Sequence, residues 1–207
     1  MTTRATPQRL DWPAELDKQL SWHWENQFRP RLEGLTDAEY FWEPVEGCWS
    51  VRPRAQAVAA LAVGGGPYTI DFAFPEPDPP PVTTIAWRLG HLIVGIFGDR
   101  NSRYFGGAPI SYESYDYPAS ADQALVALDA QYQRWIGGIR EMHLDRLADR
   151  CREPGFETDS MAALILHIHR EAIHHGAEIA LLRDLYRTGL ANRRIGEPSC
   201  RSVSWWT

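Results

Sequence analysis

The stretch HREAIHHGAEI, residues 169–179, places three histidines and two glutamates inside a run that otherwise reads as a long apolar helix. Imidazoles and carboxylates are the side chains that move protons near neutral pH and bind divalent ions. On a helix turning about 100° per residue, His167, Glu171, His174, His175 and Glu178 share one side, and Leu164, Leu181, Leu182 and Leu185 fall there too. The polar cluster is therefore expected to interrupt a leucine stripe instead of forming a solvated face. His169 projects the other way and reads as structural or surface. Burying charge is costly unless it is paired or metal-bound. Side chains one helical turn apart lie about 5–6 Å from each other, so a carboxylate and an imidazole at i, i+4 can converge on one ion. Two ligands on one helix need a third from elsewhere. His91 is the candidate, as the one histidine of an earlier apolar helix, with Gly95 a turn later leaving space beside it. From residue types and spacing alone, a metal centre stands beside a second reading, a buried His/Glu hydrogen-bond network.

Four helices are expected to position these groups. The first runs from about Pro13 to Leu35, with Leu16, Leu20, Trp24 and Phe28 recurring every fourth residue. The second starts at a Thr83 or Thr84 cap and ends near Phe105, before Gly106 and Gly107; it is too uniformly apolar for its periodicity to say which way His91 points. A third opens at Ser120, with Gln123 completing a capping box. The fourth starts near Asp159 or Ser160 and stops at Gly189. Between the first two lies a proline-rich connection in which WSVRP and YTIDFAF are expected to pair as a small hairpin. The fold class expected is all-α, a four-helix bundle with one long crossover, over residues 13–189. Residues 1–12 are expected to be a flexible lead-in and 190–207 an irregular extension, whose Trp205 and Trp206 would tuck onto the domain or a partner.

Composition narrows the function classes. A 207-residue chain with 44% hydrophobic and 23% charged residues fits one soluble domain with a real core. Its net charge of −6 argues against a nucleic-acid backbone binder, which needs a concentrated positive surface. Three cysteines, widely spaced and without CxxC, suggest neither a disulfide framework nor a thiolate zinc site. A reducing cytoplasm is the expected location, with no export signal and no membrane span. Nothing around Cys48 argues for an activated thiol. Trp24, Trp87 and Trp135 read as core, and His23 and His143 as ordinary structural residues. The nine Trp residues leave apolar area for a homodimer.

The element order, with the GCWSVRP turn region, the second-helix TTIAWRLGHL and the closing EAIHHGAEIALLRDLY, resembles the DinB/YfiT-like superfamily over about residues 14–188. The resemblance implies a divalent metal, commonly zinc or nickel, held by one second-helix histidine and two last-helix residues four apart. Aligning HGAEI on the family's segment after its second ligand gives His91, Glu171 and His175 as that set. The family more often uses three histidines, but the mycothiol-dependent maleylpyruvate isomerases are similar in using His, Glu and His. His174 is the rival of His175, His167 an outer ligand or proton relay, and Glu178 an outer acceptor orienting a ligand. The resemblance further implies a low-molecular-weight thiol such as mycothiol, activated on the metal to attack a small electrophilic substrate in a transferase or isomerase reaction. A non-catalytic metal-binding stress or regulatory protein and a metal-dependent hydrolase are the other readings. Arg88, one turn before His91, would receive an anionic group of substrate or cofactor; its plain reading is an inter-helix salt bridge.

Overall fold

In the computed structural model, residues 10–59, 61–75 and 77–189 are described. The expectation for Trp205 and Trp206 lies outside them. The described chain is mostly helical, 56% of it in helix. No helix among these residues is long and apolar enough to cross a membrane.

Helix α1 (Trp12–His23) is capped by the Asp11 carboxylate, which accepts from Ala14 N at 3.3 Å, and Pro13 occupies its first turn, where an N–H is not needed. It continues through a π-helical turn (Trp24–Phe28) and a 3₁₀ turn (Arg29–Leu32), so Leu16, Leu20, Trp24, Phe28 and Leu32 form one buried stripe. A short helix, α2 (Asp37–Tyr40), follows a Thr36/Glu39 capping box. Helix α3 (Ile85–His91) starts at the Thr84 cap, widens into a π-helical segment (Leu92–Gly98) and runs on as α4 (Asp99–Tyr104). Helices α5 (Ala121–Arg140) and α6 (Met161–Arg187) open on Ser120 and Ser160, whose side chains accept from Gln123 N and Ala163 N. Helix α1 packs on α5 and α6, and the α3–α4 stretch packs on both α5 and α6. The shared core includes Trp24 stacked on Tyr132 at 3.8 Å and fully buried Phe97 and Trp135.

The connection between the first two helices holds more structure than a hairpin. Strand β1 (Val51–Pro53) pairs antiparallel with β3 (Tyr68–Phe72), in the register Val51↔Ile70. A further strand, β2 (Leu61–Val63), pairs with the other edge of β3, so the order is β1-β3-β2. Only three residues long and flanked by an unpatterned segment, β2 carries no alternation that would mark it in the sequence. The sheet backs onto α3. Buried Asp71 accepts from Ser50 N and Arg52 Nε, its carbonyl accepts from Trp87 Nε1 at 2.9 Å, and the Ser50 and Thr84 hydroxyls meet at 2.9 Å.

Two features of α6 differ from the pattern of its leucines. Its buried side is Leu164, Ile165, Ile168, His169, Ala172, His175, Gly176, Ile179 and Arg183, while Leu166 and Leu181 are exposed. Isoleucines and small residues make up most of the core face, and of the leucines expected there Leu164 is buried, Leu182 and Leu185 are half-buried and Leu181 is exposed. The cluster therefore does not interrupt a buried leucine face: His167 and His174 are solvated and His175 sits at the core edge. His169, read as structural or surface, is structural and fully buried, with Nδ1 3.3 Å from Gln19 Oε1 and its ring 6.3 Å from that of Trp135. Nearer the C-terminal end, buried Arg183 holds both oxygens of buried Glu39 at 3.2 Å and donates to the carbonyls of Arg31 and Glu33. That contact ties α6 to the segment after α1.

Two stability predictions follow from these buried groups. Removing one partner of a buried ion pair strands the other, at a typical cost of about 3–5 kcal/mol. Arg183→Met leaves Glu39 the Thr36 N–H at 3.1 Å and Arg187 at 3.4 Å, so urea unfolding should show a loss toward the lower end, about 3 kcal/mol. Burial lowers the His169 pKa from its ordinary 6.5 to about 4. The neutral form is thus the folded form, and stability is highest above pH 6.5 and falls as the pH drops from 6.5 through 4, because the unfolded chain takes up the proton first. Between pH 7.5 and 5 this one group should remove about 2 kcal/mol. Unfolding midpoints of His169→Phe should show a correspondingly weaker acid dependence; an unchanged slope would contradict the assignment.

Candidate metal centre

The site lies where α3 meets α6. The last residue of α3 is His91, immediately before the backbone widens into the π-helical Leu92–Gly98 segment, a local geometry that recurs at functional sites. On α6, Gly176 lies against the Phe28 ring, and a Cβ there would sit 3.1 Å from Phe28 Cδ2. The absent side chain lets α6 pack closely on the end of the first helical stretch, with His175 beside the contact.

The His91 and His175 rings meet edge to face, with centroids 4.8 Å apart and planes at 86°. His175 is 7% exposed. Its Nδ1 lies 2.7 Å from Glu178 Oε2, and the same carboxylate oxygen is 3.1 Å from Arg88 Nε. Arg88 NH1 is also 3.3 Å from His175 Nδ1, but the shorter contact to a carboxylate assigns the proton: Nδ1–H donates to Glu178, and Arg88 anchors the acceptor. Nε2 of His175 then carries a lone pair, and it lies 3.8 Å from Glu171 Oε2. The other Glu171 oxygen is 3.2 Å from Arg170 Nε and 3.6 Å from His167 Nδ1.

His91 is held differently. Its Nδ1 is 2.5 Å from the Tyr112 hydroxyl, and Trp87, one turn earlier, stacks on its ring at 5.3 Å and 19°. Burial, then the neighbouring His175, Arg88 and Arg100, push the His91 pKa down to about 3. Burial is also the largest influence on His175, whose pKa is lowered despite the Glu178 hydrogen bond and carboxylate, which pull it upward. Both rings are therefore neutral at physiological pH, the form in which an imidazole ligates a metal.

The donor chemistry fits a divalent cation. With Nδ1–H committed to Glu178, the facing His175 Nε2 and Glu171 Oε2 are both acceptors. Two acceptors turned toward each other repel unless a positive centre lies between them, and a second imidazole, His91, stands against the His175 ring. Two neutral imidazoles and one carboxylate make a typical zinc-type set with room for a further ligand. Among the described residues, the group of three whose ligand atoms all lie within 4.8 Å of one another is His174, His175 and Glu178, which shares His175 with the set above. That group is more exposed, with the His174 side chain 60% accessible, and Arg88 already sits against its Glu178 and against His175 Nδ1.

Of the residues singled out from sequence, His91, Glu171, His175, Glu178 and Arg88 are brought together. His174 touches the group through the outer Glu178 oxygen at 3.4 Å, and His167 flanks Glu171. Arg88 makes the inter-helix salt bridge of its plain reading. Tyr112 was not found from sequence, since it lies in a loop far from either motif and no spacing links it to His91. The signal that did exist was Gly95, whose space the Tyr112 hydroxyl fills. Trp87, read as core, is only partly buried and belongs to the site. Cys48 is fully buried, and burial pushes its thiol pKa up, so it is no nucleophile. A cavity of about 470 Å³ is lined among others by Arg100, Cys151, Phe156 and Leu164 and by His167 and Arg170, the two side chains that contact the outer Glu171 oxygen.

A family model described as the DinB superfamily matches residues 19–179. Neither a curated protein nor a solved structure gives a significant match.

Proposed function

The chain belongs to the DinB superfamily, and from that premise we propose that it is a divalent-metal-dependent enzyme joining a low-molecular-weight thiol to a small electrophile, as a transferase or isomerase. Members of the superfamily bind divalent metals, and the chain carries a His/Glu cluster around His175, formed with His174 and Glu178, that could hold one. The helical body is, in this reading, the superfamily's four-helix bundle, with zinc or nickel as the ion and a thiol of the mycothiol kind as co-substrate. His91, Glu171 and His175 hold the ion. The observation that carries this is the facing of two acceptors, His175 Nε2 and Glu171 Oε2, at 3.8 Å beside the His91 ring.

A bound divalent ion supplies Lewis acidity, lowering the pKa of a thiol or water toward neutrality. The protein's own groups do the rest. Glu178, anchored by Arg88, keeps the His175 proton on Nδ1 and its lone pair on Nε2. Trp87 covers one face of His91 and limits water there. Arg170 bridges Glu171 Oε1 and His167 Nδ1, orienting both, and Arg170 and His167 line the 470 Å³ cavity. That cavity is the place for the electrophile, and half-exposed His167 is placed to exchange a proton between it and solvent.

Metal analysis of the purified protein tests the ligand set. The parent should carry about one divalent ion per chain, as a single three-ligand site requires. His91→Ala, Glu171→Ala and His175→Ala should lose it, whereas His174→Ala should retain it. Loss in His174→Ala with retention in His91→Ala would move the site to the exposed group. Consumption of a model haloarene should require both metal and added thiol and vanish in His175→Ala. Metal-dependent turnover without thiol would replace the transferase reading with a hydrolase, and metal binding with no turnover of any electrophile would favour a non-catalytic role.

A further inference from the structure

We propose that Tyr112 is the positioning residue for His91, fixing its Nδ1 so that Nε2 is the nitrogen offered to the ion, and that Gly95 is glycine because the Tyr112 hydroxyl occupies the space of its side chain. The proposal rests on the metal-binding reading above and deepens it. An imidazole can ligate through either nitrogen, and which one is available is set by the hydrogen bond the other makes. On His175 that partner is Glu178; on His91 it is a neutral phenol brought from a loop twenty-one residues farther along the chain.

The geometry suits an in-plane hydrogen bond. The N–H or lone pair of Nδ1 lies in the imidazole plane, so a partner must approach along that plane. The Tyr112 and His91 rings are within 20° of coplanar, with centroids 6.2 Å apart and the hydroxyl 2.5 Å from Nδ1. That is a side-by-side arrangement joined through the hydroxyl, whereas Trp87 lies on the ring at the shorter centroid distance of 5.3 Å. The phenol is itself held in place. Phe72 of β3 stacks on the Tyr112 ring at 6.3 Å, and the Tyr117 hydroxyl donates to the Tyr112 carbonyl at 3.2 Å.

Gly95 sits one helical turn after His91. A Cβ on it would overlap the Tyr112 hydroxyl outright and lie 3.1 Å from His91 Nδ1. Any side chain at 95 would displace the phenol from the imidazole. A phenolic oxygen can donate or accept. Once an ion takes Nε2, the proton must be on Nδ1 and Tyr112 accepts it. Rotating the hydroxyl is enough to switch roles, so loading the site needs no movement of either ring.

Tyr112→Phe keeps the ring and removes only the oxygen. Zinc titration of the full chain against a competing chelator should show a 10–100-fold weaker affinity, the usual effect of losing an outer partner, with circular dichroism and thermal midpoint close to the parent. Gly95→Ala should weaken zinc in the same direction. In zinc-loaded protein labelled with ¹⁵N-histidine, the His91 Nδ1–H should be slow to exchange in the parent and lost to solvent exchange in Tyr112→Phe, a signature that a purely packing role would not move. A parent that binds zinc while Tyr112→Phe binds it equally, with the Nδ1–H signal intact, would overturn the Tyr112 proposal and leave the metal centre standing. A parent that binds no zinc or other divalent ion would overturn both.

Discussion

Two neutral imidazoles held edge to face across the α3–α6 contact are what the rest of this structure serves. Burial keeps both uncharged, and the lone pair of His175 Nε2 facing a Glu171 carboxylate oxygen is a poor arrangement for its own sake. It joins acceptor to acceptor where a folded core would ordinarily match donor to acceptor. Each ring is then pinned by its own partner, an anchored carboxylate for His175 and a phenol for His91. The two partners are not equivalent. A carboxylate raises the basicity of the imidazole it holds more than a neutral hydroxyl does, so, in the proposed metal-binding reading, the two imidazoles differ in electron donation.

The supports for that pair come from far along the chain. Phe28, at the end of the first helical stretch, lies on Gly176 and sets how closely α6 approaches beside His175. The small sheet stands behind α3, and the Asp71 carbonyl takes the Trp87 indole proton, which orients the ring lying on His91. Phe72 of the same strand stacks on Tyr112. The crossover is thus more than a tether between two helices: it carries one wall of the site. This gives a physical reason for a connection so long in a compact helical protein, where links of a few residues are the norm.

Much of the scaffold was legible because its signals are local. Thr84, Ser120 and Ser160 each accept a backbone hydrogen bond at a helix start, as their residue types and positions suggested. The stripe Leu16, Leu20, Trp24, Phe28 is buried, and the segments around Val51 and Tyr68 pair. What failed had no local signature. Strand β2 is three residues with no alternation. The apolar buried side of α6 is mostly isoleucine, alanine and glycine, and no leucine period marks it, so the sequence left His169 as structural or surface where the fold makes it structural, in the core.

For the site, the last-helix spacing by itself determined that Glu171, His175 and Glu178 lie along one face, each a turn from the next, because helical geometry leaves no other outcome. In the metal-binding reading it also requires a third group from another element. Only the tertiary structure decided which way His91 turns on a helix apolar all round, since that depends on the sheet and α6 packing against it from different sides. It separated His175 from His174, adjacent in sequence but about 100° apart on the helix, by burying one and leaving the other in solvent. And it brought in Tyr112, a loop residue whose role exists only because Gly95 leaves the space its hydroxyl fills.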